Sequence, residues 1–330
     1  MSTLGELLAE HTRLPGNAVD HLHAVVGEWQ LLADLSFADY LMWVARDDGA
    51  LVCVAQCRPN TAPTVLITDA VGTLVAAGDL PLVTAAFTSG TIGRGESDPS
   101  LRERGLNVEA VPVRYDNHVV AVLTHQTAVA ERRTSSPLER AYLDCAANLQ
   151  HMLTEGTFPN IGDLATSRSS PRVGDGFIRL DVDGVVVFAS PNALSAYHRM
   201  GLTSELEGHN LVTVTRPLIS DPFEAQELAE HIRESLTGGA SMRMEVDAGG
   251  AAVLFRTMPL VVHGAPAGAA LLIRDVTEVK RRDRALLSKD ATIREIHHRV
   301  KNNLQTVAAL LRLQARRTNN AEGREALMES

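Results

Sequence analysis

Between Asn17 and Leu35, apolar residues recur every three or four positions: Val19, Leu22, Val25, Val26, Trp29, Leu32 and Leu35. That period predicts a helix with one buried face. Strand-like runs follow at Ala38–Ala45, Ala50–Cys57, Pro63–Ile67, Glu109–Arg114 and His118–Thr124, with Arg46-Asp47-Asp48-Gly49 as a hairpin connection. Gly90 to Gly105 reads as a polar, glycine-containing loop. From Pro137 to Glu155, Leu138, Tyr142, Cys145, Leu149 and Met152 alternate spacings of four and three. They predict a helix with one apolar seam, which packs on its own sheet or pairs with a second chain.

The pattern lapses from Gly156 to Gly176, a stretch with Pro159 and a Ser-Arg-Ser-Ser-Pro run, and reads as a linker. A second unit starts at Phe177. Strands are expected at Phe177–Asp181 and Val185–Ala189 around a turn at Asp183-Gly184, then helices at Asn192–Met200 and Pro222–Leu236. Three further strands, Met242–Val246, Ala251–Pro259 and Ala267–Asp275, complete an antiparallel sheet. Beyond Asp275 the period changes again. Val279, Leu286, Ile293, Val300 and Val307 fall every seven residues, with Arg282, Lys289, Ile296, Asn303 and Leu310 three positions later. No Gly or Pro interrupts Glu278 to Asn320, so one helix of roughly 60 Å is expected. Such a helix dimerises through its seam. Asn319-Asn320 breaks it, and Ala321–Ser330 reads as the start of a returning helix, as in a truncated chain. The domains expected are thus 1–155, a linker 156–176, 177–277, and a helical segment 278–330.

Composition narrows the class. Only 13 of 330 residues are aromatic, so the cores must be built from Val, Leu, Ala and Ile. The longest apolar stretch, Ala251 to Ile273, is broken by Arg256, Pro259, His263 and Pro266, short of a membrane helix. The N-terminus lacks a signal pattern and three cysteines do not make a disulfide framework, so a cytoplasmic protein is expected. The net charge of −9 is unevenly spread: Glu278 to Ser330 carries 12 Lys and Arg against 7 Asp and Glu, on an acidic body. Different work for the two parts follows.

The chemistry lies in Arg294-Glu-Ile-His-His-Arg-Val-Lys-Asn-Asn-Leu-Gln305. His298, five positions past the seam residue Ile293, faces solvent. Glu295, His298 and Asn302 share its face, and Glu295 precedes Arg299 by four residues, the spacing of a helical ion pair. An exposed imidazole can attack a γ-phosphoryl group and hand it on. It needs an acceptor for its proton and donors for the phosphate oxygens, roles open to Glu295, Asn302, Arg299 and Lys301. Solvated histidines on a charged coiled-coil face would show the same spacing.

His298-Arg-Val-Lys-Asn-Asn-Leu-Gln305 resembles the phosphoacceptor box of sensor histidine kinases whose box reads His-Arg-x-x-Asn. The resemblance implies that His298, not His297, accepts the phosphoryl group. It places Asn302 where related kinases keep a small polar residue used in transfer and reversal, and puts Arg299 where the commoner type has an acid. Glu295 is then the candidate base. Asp181-x-Asp183-Gly184, Asn192-Ala193 and Asp275-Val-Thr-Glu278 resemble a PAS domain, whose closing Asp-x-Thr couples sheet to output helix. The first domain resembles the GAF sensors that precede PAS in soluble actinobacterial kinases. The implied fold is α+β: GAF-like then PAS-like sensors, each an antiparallel sheet with helices, followed by the long dimerising helix of a four-helix phosphoacceptor bundle. The resemblance further implies a homodimer and phosphotransfer to a response-regulator aspartate, the regulator carrying an RNA-binding antiterminator domain. ATP and Mg²⁺ would sit on a catalytic domain, for which no glycine-rich box appears before Ser330, so the chain alone is expected to be inactive.

For the signal, Cys53 and Cys57 lie four apart in a strand-like run. They would share a face about 13 Å apart, too far for a disulfide. They are either small buried residues or a thiol redox or soft-metal (Cu(I)) site. Cys145, on the helical seam, is structural. His21 and His23 diverge on their helix; His198, His209, His231 and His263 could ligate haem but lack a supporting motif. The competing reading is a non-catalytic GAF–PAS dimer whose basic helix, through Lys280, Arg281, Arg282 and Arg284, docks a partner or RNA.

Overall fold

The computed structural model describes residues 3–95, 105–129, 135–160 and 170–317, which form two units, 1–275 and 276–330. In the first unit, α1 (Leu4–His11) and α2 (Gly16–Ser36) lead into β1 (Asp39–Ala45) and β2 (Leu51–Cys57). The short β3 (Leu74–Val75), α3 (Pro81–Ser89) and β4 (Gly93–Arg94) precede the long hairpin β5 (Leu106–Tyr115) and β6 (His118–Ala128). These strands form an antiparallel sheet in the order β3-β2-β1-β6-β5-β4. Helix α4 spans Pro137–Glu155, the predicted range. Its ends are legible: the Ser136 hydroxyl accepts from the Glu139 amide with Pro137 at the first turn, and Gly156 takes the left-handed cap at φ 75°.

The strand side chains alternate between two cores. Tyr40, Met42, Val44, Val52, Val54, Val111, Val113 and Leu123 face α1, α2 and α4. Leu41, Trp43, Leu51, Cys53, Ala110 and Val122 face α3. Pro63–Ile67, expected as a strand, is a loop. The buried Asp39 carboxylate accepts from the Val65 amide (2.6 Å) and the Thr64 hydroxyl (2.7 Å), taking the donors a ladder would use, and Pro63 has no amide to give. Helix α3 was not expected; too few of its residues are buried for a periodic stripe to show.

The second sheet holds β7 (Phe177–Leu180), β8 (Val186–Ala189), β9 (Met242–Ala248), β10 (Ala251–Val262) and β11 (Ala265–Asp275) in the order β8-β7-β11-β10-β9, all antiparallel. In the turn before β8, the Asp181 carboxylate accepts from the Asp183 and Val185 amides, with Gly184 at φ 77°. Helices α5 (Pro191–Met200), α6 (Leu211–Thr215) and α7 (Pro222–Leu236) complete the fold. One face of the sheet, with Ile178, Val253, Phe255, Leu271 and Ile273, packs on α5 and α7 around the buried Tyr197. The opposite face, with Phe177, Met258, Leu260, Ala270 and Leu272, joins the core of the first sheet.

Helix α4 is why the two sheets share a core. It packs on α2 and β5 and also on β10, so its seam residues Tyr142, Cys145, Leu149 and Met152 are buried within the chain. Of the two expected uses of that seam, the intramolecular one holds. Phe158 and Val173, in the stretch expected as a linker, also enter this core. A sheet buried on both faces explains the nearly continuous apolar run of β10.

In the second unit, α8 runs Thr277–Arg317, as the uninterrupted heptads predicted. Asn319-Asn320 and Ala321–Ser330 lie outside the described residues.

Candidate functional site

On α8, the box from Glu295 to Gln305 is a continuous exposed strip. Successive residues advance about 100° around a helix. The apolar positions Ile293, Ile296, Val300, Leu304, Val307 and Leu310 therefore form one stripe, with His298 about 170° away from its centre and Asn302 and Glu295 about 150° and 130° away. His297 flanks the stripe instead. The Glu295 carboxylate accepts a hydrogen bond from the Arg299 guanidinium, the predicted ion pair. The Thr306 hydroxyl donates to the Asn302 backbone carbonyl (2.9 Å). Chemically the strip offers a reachable imidazole, a carboxylate one turn before it, and amide and guanidinium donors. The stripe is unusual for a water-facing surface: its side chains are between 49% and 64% exposed.

Structure corrects the reading of the cysteines. Met42 pairs with Ala55 and Trp43 with Cys53, so Val54 is an extra residue, a bulge in β2. The bulge reverses the facing of everything beyond it. Cys53 lies in the core beneath α3, whereas Cys57 lies in the core beneath α2 and α4. The two thiols are therefore not brought together, as a shared metal would require. Burial pushes each of them up to about 12, and Cys145 likewise, so all three stay protonated at neutral pH. Cys57 donates to the Gln30 side chain (3.4 Å) and Cys53 to the Ala55 carbonyl (3.5 Å). Among the described residues, no group of three or more His, Cys, Asp and Glu side chains could hold a metal ion.

The histidines are dispersed as well. His21 is tucked against the Tyr115 ring, with centroids 5.0 Å apart, and does not meet His23 across the helix. His263, in the β10–β11 turn, is clasped by Glu155 at the end of α4, whose carboxylate accepts from the His263 amide (2.9 Å). His209 caps its own loop through the Glu207 carbonyl, and His231 is on α7.

Comparison with known proteins covers the chain domain by domain. A family model described as the GAF domain of histidine kinase PdtaS matches residues 4–146, a PAS-fold model matches 171–281, and a histidine kinase model matches 295–330, a range that includes His298. The sensor histidine kinase PdtaS of Mycolicibacterium smegmatis is 78% identical over 333 residues, covering all of this chain and 67% of that protein. PdtaS of Mycobacterium tuberculosis is 74% identical over 336 residues, with the same coverage. The chain belongs to the PdtaS sensor histidine kinases. A solved structure described as the sensor region of a sensor histidine kinase agrees, with TM-score 0.76 and 68% identity over 85% of this chain and 100% of that one. The chain is accordingly the sensory and phosphoacceptor region of a two-component sensor histidine kinase, with GAF and PAS domains ahead of the kinase helix. Among the described residues, no helix is long and apolar enough to cross a membrane.

One charged cluster escaped sequence reading. Arg256, which had registered only as an interruption of an apolar run, bonds through its guanidinium to Glu28 of α2; Arg243 approaches the other oxygen of the same carboxylate at 3.6 Å. The only advance sign was a cation at the centre of a strand otherwise fit for burial.

Proposed function

We propose that His298 is the phosphoacceptor of this kinase. The observation that carries it is the placement of His298 with Glu295 and Asn302 on the exposed side of α8 away from the apolar stripe, with Arg299 paired to Glu295 at the edge of that side. An imidazole nitrogen attacks the γ-phosphorus of ATP, forming the N–P bond as the bond to ADP oxygen breaks. Glu295, steadied by Arg299, receives the imidazole proton. Arg299 has donors to spare for the phosphate oxygens, and Asn302 serves transfer onward and its reversal. ATP and Mg²⁺ belong to a catalytic domain within the third of the relatives' length that the match leaves uncovered. The phosphoryl group then passes to an aspartate of a response regulator, for which we favour one with an RNA-binding antiterminator domain.

The apolar stripe is the seam of a homodimer working in the cytoplasm. Two copies burying Ile293, Ile296, Val300, Val307 and Leu310 against each other leave both His298 side chains outward. A signal held by the GAF or PAS domain changes seam packing, and the polar positions Arg282 and Lys289 keep that seam weak enough to switch.

The test uses the full-length kinase with labelled ATP and Mg²⁺, comparing wild type, His297→Gln and His298→Gln. Acid-labile, base-stable label should disappear only in His298→Gln. Label that persists in His298→Gln would reassign the acceptor.

A further inference from the structure

Arg243 on β9 and Arg256 on β10 are directly opposed partners in the ladder, an arrangement that repels. Both side chains are nearly buried, at 14% and 7% exposed, and one carboxylate, Glu28 at 11%, faces the two of them. Both Nε atoms are buried without a hydrogen-bond partner. Two cations on one anion leave a formal surplus of one positive charge away from water, which a protein pays heavily to maintain. Burial, and then the neighbouring Arg256, push the Arg243 guanidinium below its usual range, while Glu28 pulls the other way.

This surplus borders a cleft of about 260 Å³ between α2 and the second sheet. Leu31, Val173 and Leu272 give it an apolar side, and Leu272 is the cross-strand neighbour of Arg256 on β11. Arg172 and Asp34, one charge of each sign, also line the cleft, so the surplus stays at one; the Asp34 carboxylate accepts from the Asn60 amide (2.6 Å) and the Gln30 side chain (2.9 Å).

We propose that the cleft between α2 and strands β9 to β11 binds a small organic monocarboxylate, its carboxylate on Arg243 and Arg256 and its hydrocarbon body against Leu31, Val173 and Leu272. A guanidinium matches a planar carboxylate, and Glu28 already spans the pair with one carboxylate oxygen toward each arginine. One surplus charge calls for a monoanion; a polyphosphate would overcompensate and meet Glu28 as a like charge. The volume is below the roughly 300–1,000 Å³ of drug-sized sites, which restricts the ligand to a small body. The ligand would bridge the α2 of one sensor and the sheet of the other. The proposal is independent of the assignment of His298.

Sodium benzoate is the probe, followed by calorimetry and thermal unfolding of the 330-residue chain, with benzamide, sodium chloride and inorganic phosphate as controls. Benzoate should bind saturably and raise Tm by roughly 2–4 °C at ten times its dissociation constant, with benzamide and the inorganic anions inert at equal ionic strength. Arg243→Gln retains the neutral Glu28–Arg256 pair; it should fold and lose the benzoate response. Glu28→Gln removes the competing carboxylate and should bind benzoate several-fold more tightly, which keeps the test decisive if Arg243→Gln fails to fold. No saturation up to about 20 mM, equal shifts with benzamide, chloride or phosphate, or affinity unchanged in Glu28→Gln would each overturn the site.

Discussion

Gln150 of α4 donates a hydrogen bond of 3.0 Å to the phenolic oxygen of Tyr40 on β1, and both side chains are buried. The same oxygen shares a 3.2 Å hydrogen bond with the Ser36 hydroxyl at the end of α2. One phenol thus ties together the first sheet and the two helices on its inner face. Burial pushes it up to about 12, so it remains a neutral phenol at physiological pH.

Replacing Tyr40 with Phe strands the Gln150 amide in the core. Urea denaturation should show a loss of about 1–3 kcal/mol. A second change, Gln150→Leu, should recover part of that loss in a double-mutant cycle; strictly additive losses would mean that the bond contributes nothing.

The shared core predicts that the two sensor domains unfold as one body. Trp29 and Trp43 both sit in the first domain, so their fluorescence reports on it alone, while amide exchange on β10 and β11 reports on the second. The two midpoints should coincide. Met152→Ala, at the point where α4 meets β10, should lower both together by about 2–5 kcal/mol. Separate midpoints would refute the common core.

Thiol reactivity tests the correction made to Cys53 and Cys57. With all three cysteines protonated and buried, iodoacetamide at pH 8 should label them no faster than the chain unfolds. Rapid labelling of Cys53 or Cys57 in the native protein would restore the thiol-sensor reading.

His21 gives an acid-side signature. Burial lowers its pKa below the ordinary value of 6.5, and its Nε2 is buried without a partner. The unfolded chain therefore takes up the proton first, and stability is lost as pH falls from 6.5 toward the folded-state value. Thermal unfolding at pH 7.5 and at pH 5 should show a smaller drop for His21→Phe than for wild type; equal drops would exclude His21 as a contributor.

Much of this architecture was written in periodicity. The Val19 to Leu35 pattern yields α2, the four-and-three seam yields α4 to the residue, and the heptads yield α8, because each is a long element with one solvated face. What escaped depended on contacts between distant residues. The bulge at Val54 leaves no mark in a run of uniformly apolar residues, yet it decides which core each cysteine enters. Pro63–Ile67 looked like a strand because its captor, Asp39, lies more than twenty positions upstream. The exposed strip of α8 was readable because helical spacing puts Glu295, His298 and Asn302 on one side of it, though only the resemblance of the box implied a phosphoacceptor there. The Glu28–Arg243–Arg256 cluster was not, since its members come from α2, β9 and β10 and meet only when the domains do.

Helix α4 therefore makes the two sensors poor candidates for interchange. An engineer who swaps the PAS domain for another would leave Tyr142, Leu149 and Met152 facing a foreign surface, and one who swaps the GAF domain would carry away part of the PAS interior. Grafts that cut within 156–176 should misassemble, whereas grafts moving residues 1–275 whole should carry their response with them. In this kinase the unit of inheritance for sensing is the pair.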